Sequence, residues 1–83
     1  MPRYFCHLCQ GDRLILDPDG TVLPDLDAAR AEALQGIRDI LGEAIKRGDD
    51  DLLDEAVVIA DETGRELMTI PFKEALPPRL RRG

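Results

Sequence analysis

The residues with the most reactive side chains stand together near the start of the chain, in the string Cys6-His7-Leu8-Cys9. Two cysteines at this spacing hold zinc in a tight turn or exchange thiols at the start of a helix. The surrounding residues instead predict an extended strand over 3–9, rich in aromatic and small apolar side chains. Residues three apart on a strand point to opposite faces, about 10 Å apart, which is too far for a disulfide. We therefore interpret Cys6 as a small core residue and Cys9 as a half-exposed edge residue.

His7 and Cys9 are two positions apart, so they share one face of the predicted strand. A two-fold axis beside this strand would bring two such pairs together as a His₂Cys₂ zinc site. One hypothesis is therefore a metal-binding or thiol-responsive protein that uses His7 and Cys9, with zinc as its cofactor. The other interpretation of His7 is a hydrogen-bonded strand residue, and it requires no cofactor.

Residue content argues against most other kinds of site. The chain has no Ser and one His, and it lacks a Gly-rich phosphate loop, so serine-hydrolase, P-loop and Rossmann sites are excluded. The acidic pair Asp17 and Asp19 and the acidic run 49–51 lack the spacing of a calcium loop, and we interpret them as a turn and a solvated loop. A chain of 83 residues also leaves little room for a deep substrate pocket. We therefore expect a protein that is not an enzyme.

The charge is unevenly distributed along the chain. The formal net charge is -6, but residues 1–72 carry 7 basic and 16 acidic side chains, whereas residues 73–83 carry 4 basic and one acidic. An acidic body repels phosphate, so nucleic acid is expected to bind, if at all, only through the basic tail. Two cysteines without an export signal or an apolar membrane segment predict a cytoplasmic protein.

One long amphipathic helix is predicted from Leu26 to Arg47, because apolar residues recur there at spacings of three and four. Asp25 precedes it as an N-cap, and Gly48 follows it as a left-handed stop. The apolar stripe of this helix comprises Leu26, Ala29, Ala33, Leu34, Ile37, Ile40, Leu41, Ala44 and Ile45.

Four strands surround the helix in the sequence. After 3–9, a second strand begins at 14–16 and continues beyond the turn 17–20 over 21–23. The third and fourth strands, 55–60 and 66–72, are joined by the turn 61–64. Like 17–20, it has Asp first and Gly fourth, which is typical of a type I turn. The order β-β-α-β-β predicts an α+β, two-layer domain with a small antiparallel sheet packed on the helix. We expect residues 1–76 to form this single domain and 77–83 to be a disordered basic C-terminal tail.

The face of the sheet away from the helix is predicted to carry Val58, Leu67 and either Phe5 or Tyr4. A partly apolar open face is the usual place for a partner, and a homodimer would enlarge the core of so short a chain. The sequence therefore predicts a non-catalytic protein-interaction or regulatory module that acts as a homodimer, with Phe5, Val58 and Leu67 as its contacts.

The opening residues, Met1-Pro2-Arg3-Tyr4-Phe5-Cys6-His7-Leu8, resemble a family of short bacterial domains, common in rhizobia and their relatives, that start Pro-Arg-Tyr-Phe-Phe-His. The resemblance continues over 17–20 and 23–30 and ends with 58–64 and 67–72. It implies a domain of unknown function without assigned catalytic residues. The chain departs from the pattern at Cys6, where an aromatic is usual, and at Cys9, where a polar or basic residue is usual.

A second resemblance lies at the start of the helix. Leu23-Pro24-Asp25-Leu26, leading into an Ala-rich helix, is similar to the partial double-stranded-RNA-binding-like fold of HicB-type antitoxins. This likeness implies a third hypothesis, an antitoxin-like regulator whose basic tail contacts a toxin or nucleic acid.

Overall fold

One antiparallel sheet and one long helix on its face make up the structure, a computed structural model that describes residues 1–48 and 51–76. The predicted α+β architecture is confirmed, and the predicted second strand is divided into two short ones. The tail 77–83 and residues 49–50 of the acidic loop lie outside the described residues. The elements are β1 (Arg3–Gln10), β2 (Arg13–Ile15), β3 (Thr21–Val22), α1 (Leu26–Arg47), β4 (Ala56–Ala60) and β5 (Glu66–Pro71), with short 3₁₀ turns at Asp51–Asp54 and Phe72–Ala75.

Strand β1 is the centre of the sheet, whose order is β2-β1-β4-β5. β4 pairs with β1 along most of the length of β1, with Phe5 opposite Ala60 and Cys9 opposite Ala56. β2 and β3 pair with the two ends of β1, and the turn 17–20 lies between them in the chain. Cys9 therefore lies on a central strand, which corrects its predicted place at an edge.

The helix begins and ends where its caps were predicted. The Asp25 side chain accepts a hydrogen bond of 2.8 Å from the Ala28 N–H, and Gly48 ends the helix at φ 73°. The buried stripe is narrower than predicted, because Ile40 and Ile45 are exposed. It consists of Ala29, Ala33, Leu34, Ile37, Leu41 and Ala44. No helix within residues 1–48 and 51–76 is both long enough and apolar enough to cross a membrane.

The core lies between this stripe and one face of the sheet. Its largest fully buried side chains are Ile37, Ile59, Ile70 and Phe72. Phe72 begins a 3₁₀ turn rather than ending the strand, and its N–H donates a bond of 2.9 Å to the Glu55 carbonyl. The strand therefore ends at Pro71, one residue before the predicted end, and proline has no N–H to continue the ladder.

The alternation of β1 assigns its side chains to two faces. Tyr4 belongs to the core, and Cys6 and Leu8 pack against it from the same face. Phe5, His7 and Cys9 therefore point away from the helix. We call this side of the sheet the open face; it also carries Leu14, opposite Cys9, and Val58, opposite His7.

Leu67 does not lie on the open face as expected but packs against the core. The register of β4 and β5 shifts between Ile59, which lies opposite Met68, and Ala60, which lies opposite Glu66. Leu67 is the extra residue at this β-bulge, and a bulge turns a side chain out of the regular alternation.

Candidate functional site

The open face carries a groove of about 540 Å³, which we call the open-face groove. It lies where β1 and the segment 14–18 meet the turn between β4 and β5. Two of its side chains, Leu14 and Leu16, are 50% and 63% exposed. The groove is lined by Phe5, His7, Leu14, Leu16, Asp17, Pro18, Asp61, Glu62, Gly64 and Glu66. Its floor is thus apolar and aromatic, and its rim is acidic.

Two rings form the centre of the floor. The centroids of the Phe5 and His7 rings lie 6.3 Å apart, with the rings inclined by 22°. Residues two apart on a strand share a face, which brings these rings together. Gly20 lies against the Phe5 ring, because a Cβ built there would be 2.8 Å from Cε2 of Phe5. The turn 17–20 is therefore packed against the floor of the groove.

Asp17 attaches this turn to β1. Its Oδ2 accepts a hydrogen bond of 3.2 Å from the Cys6 N–H, and its Oδ1 accepts bonds from the N–H groups of Asp19 and Gly20. Burial by itself would raise the pKa of the Asp17 carboxyl, but the N–H donors of Gly20, Cys6 and Asp19 outweigh it and lower the pKa. Asp17 thus bonds to β1 between β2 and β3, on the edge of β1 that does not pair with β4.

The ring of His7 is held by the same turn. The backbone N–H of Asp17 donates a hydrogen bond of 3.0 Å to Nδ1 of His7. Since Nδ1 accepts, the proton of the neutral ring is on Nε2. A metal ion at Nε2 would need the lone pair of that atom, so zinc binding through His7 requires a change of tautomer and the loss of this bond.

Two further rim carboxylates, those of Asp61 and Glu62, accept hydrogen bonds from the backbone or from a hydroxyl group. The Thr63 hydroxyl donates a bond of 2.6 Å to Asp61 and lowers its pKa, together with the N–H groups of Thr63 and Arg65 and the nearby Arg65 charge. Glu62 accepts a bond of 3.3 Å from the Arg3 N–H. Among residues 1–48 and 51–76, no rim carboxylate forms an ion pair with a basic side chain. The rim therefore keeps its negative charge.

Cys6 lies on the other side of the sheet, in a second cavity of about 220 Å³ between α1 and β1. Leu8, Ile37 and Ile40 contribute to its apolar lining. Burial, with smaller contributions from the charges of Asp17 and Glu32, raises the pKa of the Cys6 thiol. A protonated thiol is a poor nucleophile. Both cysteines are free, and they lie on opposite faces, as predicted.

Of the three predicted partner contacts, Phe5 alone lines the groove. Val58 is on the open face but only 6% exposed, and Leu67 packs against the core. Sequence reasoning missed Leu14 and Leu16. Their alternation around Ile15 puts them on one face, and Leu14 could then have been placed beside Cys9 from a β1–β2 hairpin.

His7 and Cys9, the predicted metal ligands, both lie on the open face. In the part of the chain that the structure describes, no three or more His, Cys, Asp or Glu side chains are grouped to hold a metal ion. A site at His7 and Cys9 would therefore take ligands from outside these residues, as the shared-site hypothesis requires.

Residues 3–73 match the family model of the domain of unknown function DUF6894. The chain belongs to this family. The match runs from the start of β1 to just beyond β5, so the DUF6894 domain includes the whole sheet, the helix and the open-face groove. The resemblance to a domain family of unknown function is thereby confirmed. Neither the curated proteins nor the solved structures include a match to the chain.

Proposed function

We propose that this DUF6894 domain is a non-catalytic protein-association module that works as a homodimer through the open face of its sheet. The observation that carries the proposal is the open-face groove, in which Leu14 and Leu16 stand exposed beside the Phe5 ring. Apolar area that leaves water contributes about 25 cal/mol per Å². A second copy that covers these side chains would gain this free energy.

The two exposed apolar residues of the helix do not form a competing interface. Ile40 and Ile45 are 40% and 68% exposed on α1. Five helical positions separate them, which is a rotation of about 140° around the helix axis. They therefore point in different directions, whereas Leu14, Leu16 and Phe5 line a single groove.

The groups best suited to chemistry favour a binding role over catalysis. His7 uses Nδ1 to hold the turn 17–20, and the raised pKa of Cys6 keeps its thiol protonated. Both carboxylate oxygens of Asp17 accept hydrogen bonds from backbone N–H groups. These side chains support the folded shape of the groove.

A charge placed in the groove tests the proposal. We expect Leu14→Asp and Leu16→Asp to convert a dimer to a monomer in sedimentation velocity, with the circular dichroism spectrum unchanged. The matched control is Ile45→Asp, an exposed apolar residue on the helix, which should remain a dimer. A single, unchanged mass for all four proteins would contradict the proposal, as would a wild-type chain that is monomeric throughout the micromolar range.

The proposal also includes a cellular setting, the cytoplasm of a bacterium. The resemblance of the first strand to short bacterial domains supports it, together with the two free cysteines. Fractionation of the native host, followed by detection of the chain with an antibody, would test it. Recovery in the membrane or secreted fraction would contradict it.

A further inference from the structure

The charge around the open-face groove restricts what can fill it. The apolar floor lies within a rim of four carboxylates, Asp17, Asp61, Glu62 and Glu66. Two such rims pressed together would repel each other. The occupant that fits best combines a bulky apolar side chain with basic neighbours, because it satisfies the floor and the rim together.

The C-terminal tail contains a segment of this composition, in which three arginines flank one leucine. Residues 79–82 read Arg-Leu-Arg-Arg, in a tail of opposite charge to the body. We propose that the open-face groove of one copy binds the C-terminal segment 79–82 of a second copy. This inference rests on the proposed homodimer. Leu80 lies against the floor, and the arginines pair with the rim carboxylates, for which guanidinium has the matching geometry.

The end of the described chain shows why the segment comes from a second copy. Leu76 packs against the core on the helix side of the sheet, next to the 3₁₀ turn after β5. The floor of the groove is on the other face, over β1 and β2, two to three strands from β5. A chain that runs from Leu76 to the floor must cross about 10–14 Å of sheet and about 10 Å more from the core layer to the open face. The four steps from Leu76 to Leu80 span at most about 14 Å, so Leu80 does not reach its own groove.

The arrangement is reciprocal. Each copy supplies one groove and one segment, as a two-fold dimer requires. The basic segment of each copy then lies between two acidic bodies and offsets their repulsion. Because the rim is exposed, dimerisation is expected to weaken as salt concentration rises.

The inference is tested in the full-length chain by reversing the charge of the segment in one variant and the charge of the groove rim in another. The segment variant is Arg79→Glu/Arg81→Glu, and the groove variant is Glu62→Arg/Glu66→Arg, which spares the two carboxylates that hold turns. We expect each variant alone to dimerise about tenfold more weakly or worse, by sedimentation equilibrium. The control Arg38→Glu/Lys46→Glu makes the same charge change as the segment variant on α1 and should dimerise like wild type.

A mixture of the two variants gives the decisive result. The basic segment of the groove variant faces the acidic groove of its partner, and the acidic segment of the other faces a basic groove. We expect native mass spectrometry to show a heterodimer in the mixture and monomers in each variant alone. No heterodimer, or wild-type dimerisation by the segment variant, would overturn the inference. If the segment variant dimerises and Leu14→Asp does not, the proposed homodimer stands and this inference fails.

Discussion

Nδ1 of His7 accepts a 3.0 Å hydrogen bond from the backbone N–H of Asp17. The bond joins the centre of the open face to the turn that borders it. The Asp17 carboxylate accepts a second bond from the N–H of Cys6, the residue before His7, so the turn is attached to β1 at two consecutive residues. The predictions below on the Asp17 carboxylate, on acid stability and on the His7 tautomer depend on these two hydrogen bonds.

Replacing the Asp17 carboxylate should weaken the fold. In Asp17→Asn, one acceptor oxygen becomes an NH₂ group, which cannot accept bonds from both the Cys6 side and the Gly20 side. We expect the free energy of unfolding in urea to fall by about 1–2 kcal/mol. Asp19→Asn, at an exposed residue in the same turn, should change it by less than about 0.5 kcal/mol. Equal effects of the two substitutions would show that the Asp17 bonds do not stabilise the turn.

Acid should remove part of the stability. The folded-state pKa values of Asp17 and Asp61 are lowered from 3.8, so the stability they contribute is present above pH 3.8 and is lost as pH falls through the folded values. We expect the urea midpoint to decrease below about pH 4. In Asp17→Asn this decrease should be shallower. NMR titration of the carboxyl carbons provides the direct measurement, and an Asp17 that titrates at or above 3.8 would contradict the assignment.

The neutral ring of His7 should carry its proton on Nε2. The Asp17 N–H occupies the lone pair of Nδ1, so we expect ¹⁵N-detected ring spectra to show a protonated Nε2 and an unprotonated Nδ1. The same bond opposes zinc, so the protein from zinc-supplemented growth should have one mass in native mass spectrometry with and without chelator. A dimer that carries one zinc and dissociates with chelator would instead support the shared site of His7 and Cys9.

Two glycines should respond to alanine in opposite directions. In Gly20→Ala the new Cβ would lie 2.8 Å from the Phe5 ring, at φ 67°, so we expect a loss of about 1–3 kcal/mol of unfolding free energy. Gly36 is in the middle of α1, and a Cβ there meets nothing within 4 Å. Gly36→Ala should therefore gain up to about 1 kcal/mol from helix propensity. Thermal denaturation distinguishes the two, and a stabilising Gly20→Ala would refute the close contact.

The features predicted best from the sequence are those determined by neighbouring residues. The helix runs between the Asp25 cap and Gly48 because the signals for both ends lie within a few positions of them. The turn 17–20 was predicted from its Asp, Pro and Gly. In each case the chain within about one turn contains the cause of the conformation.

The open-face groove was not predicted, because it depends on distant parts of the chain. Its floor forms only when β1 is placed between β2 and β4, and periodicity contains no information on strand order. The bulge that turns Leu67 toward the core is likewise a matter of pairing between β4 and β5. Val58 was placed correctly on the open face, but its burial depends on neighbours from both adjacent strands.

The central place of β1 has a consequence for how the domain forms during translation. β1 leaves the ribosome before the other strands and the helix of this domain, yet one of its two hydrogen-bonding edges is completed only by β4, which follows the whole of α1. Pairings between distant segments are slow to form, and an unpaired strand edge is prone to bind other chains. Until β4 has been synthesised, the nascent chain therefore exposes an open edge, and chaperone contact with this domain is expected to concentrate in that interval.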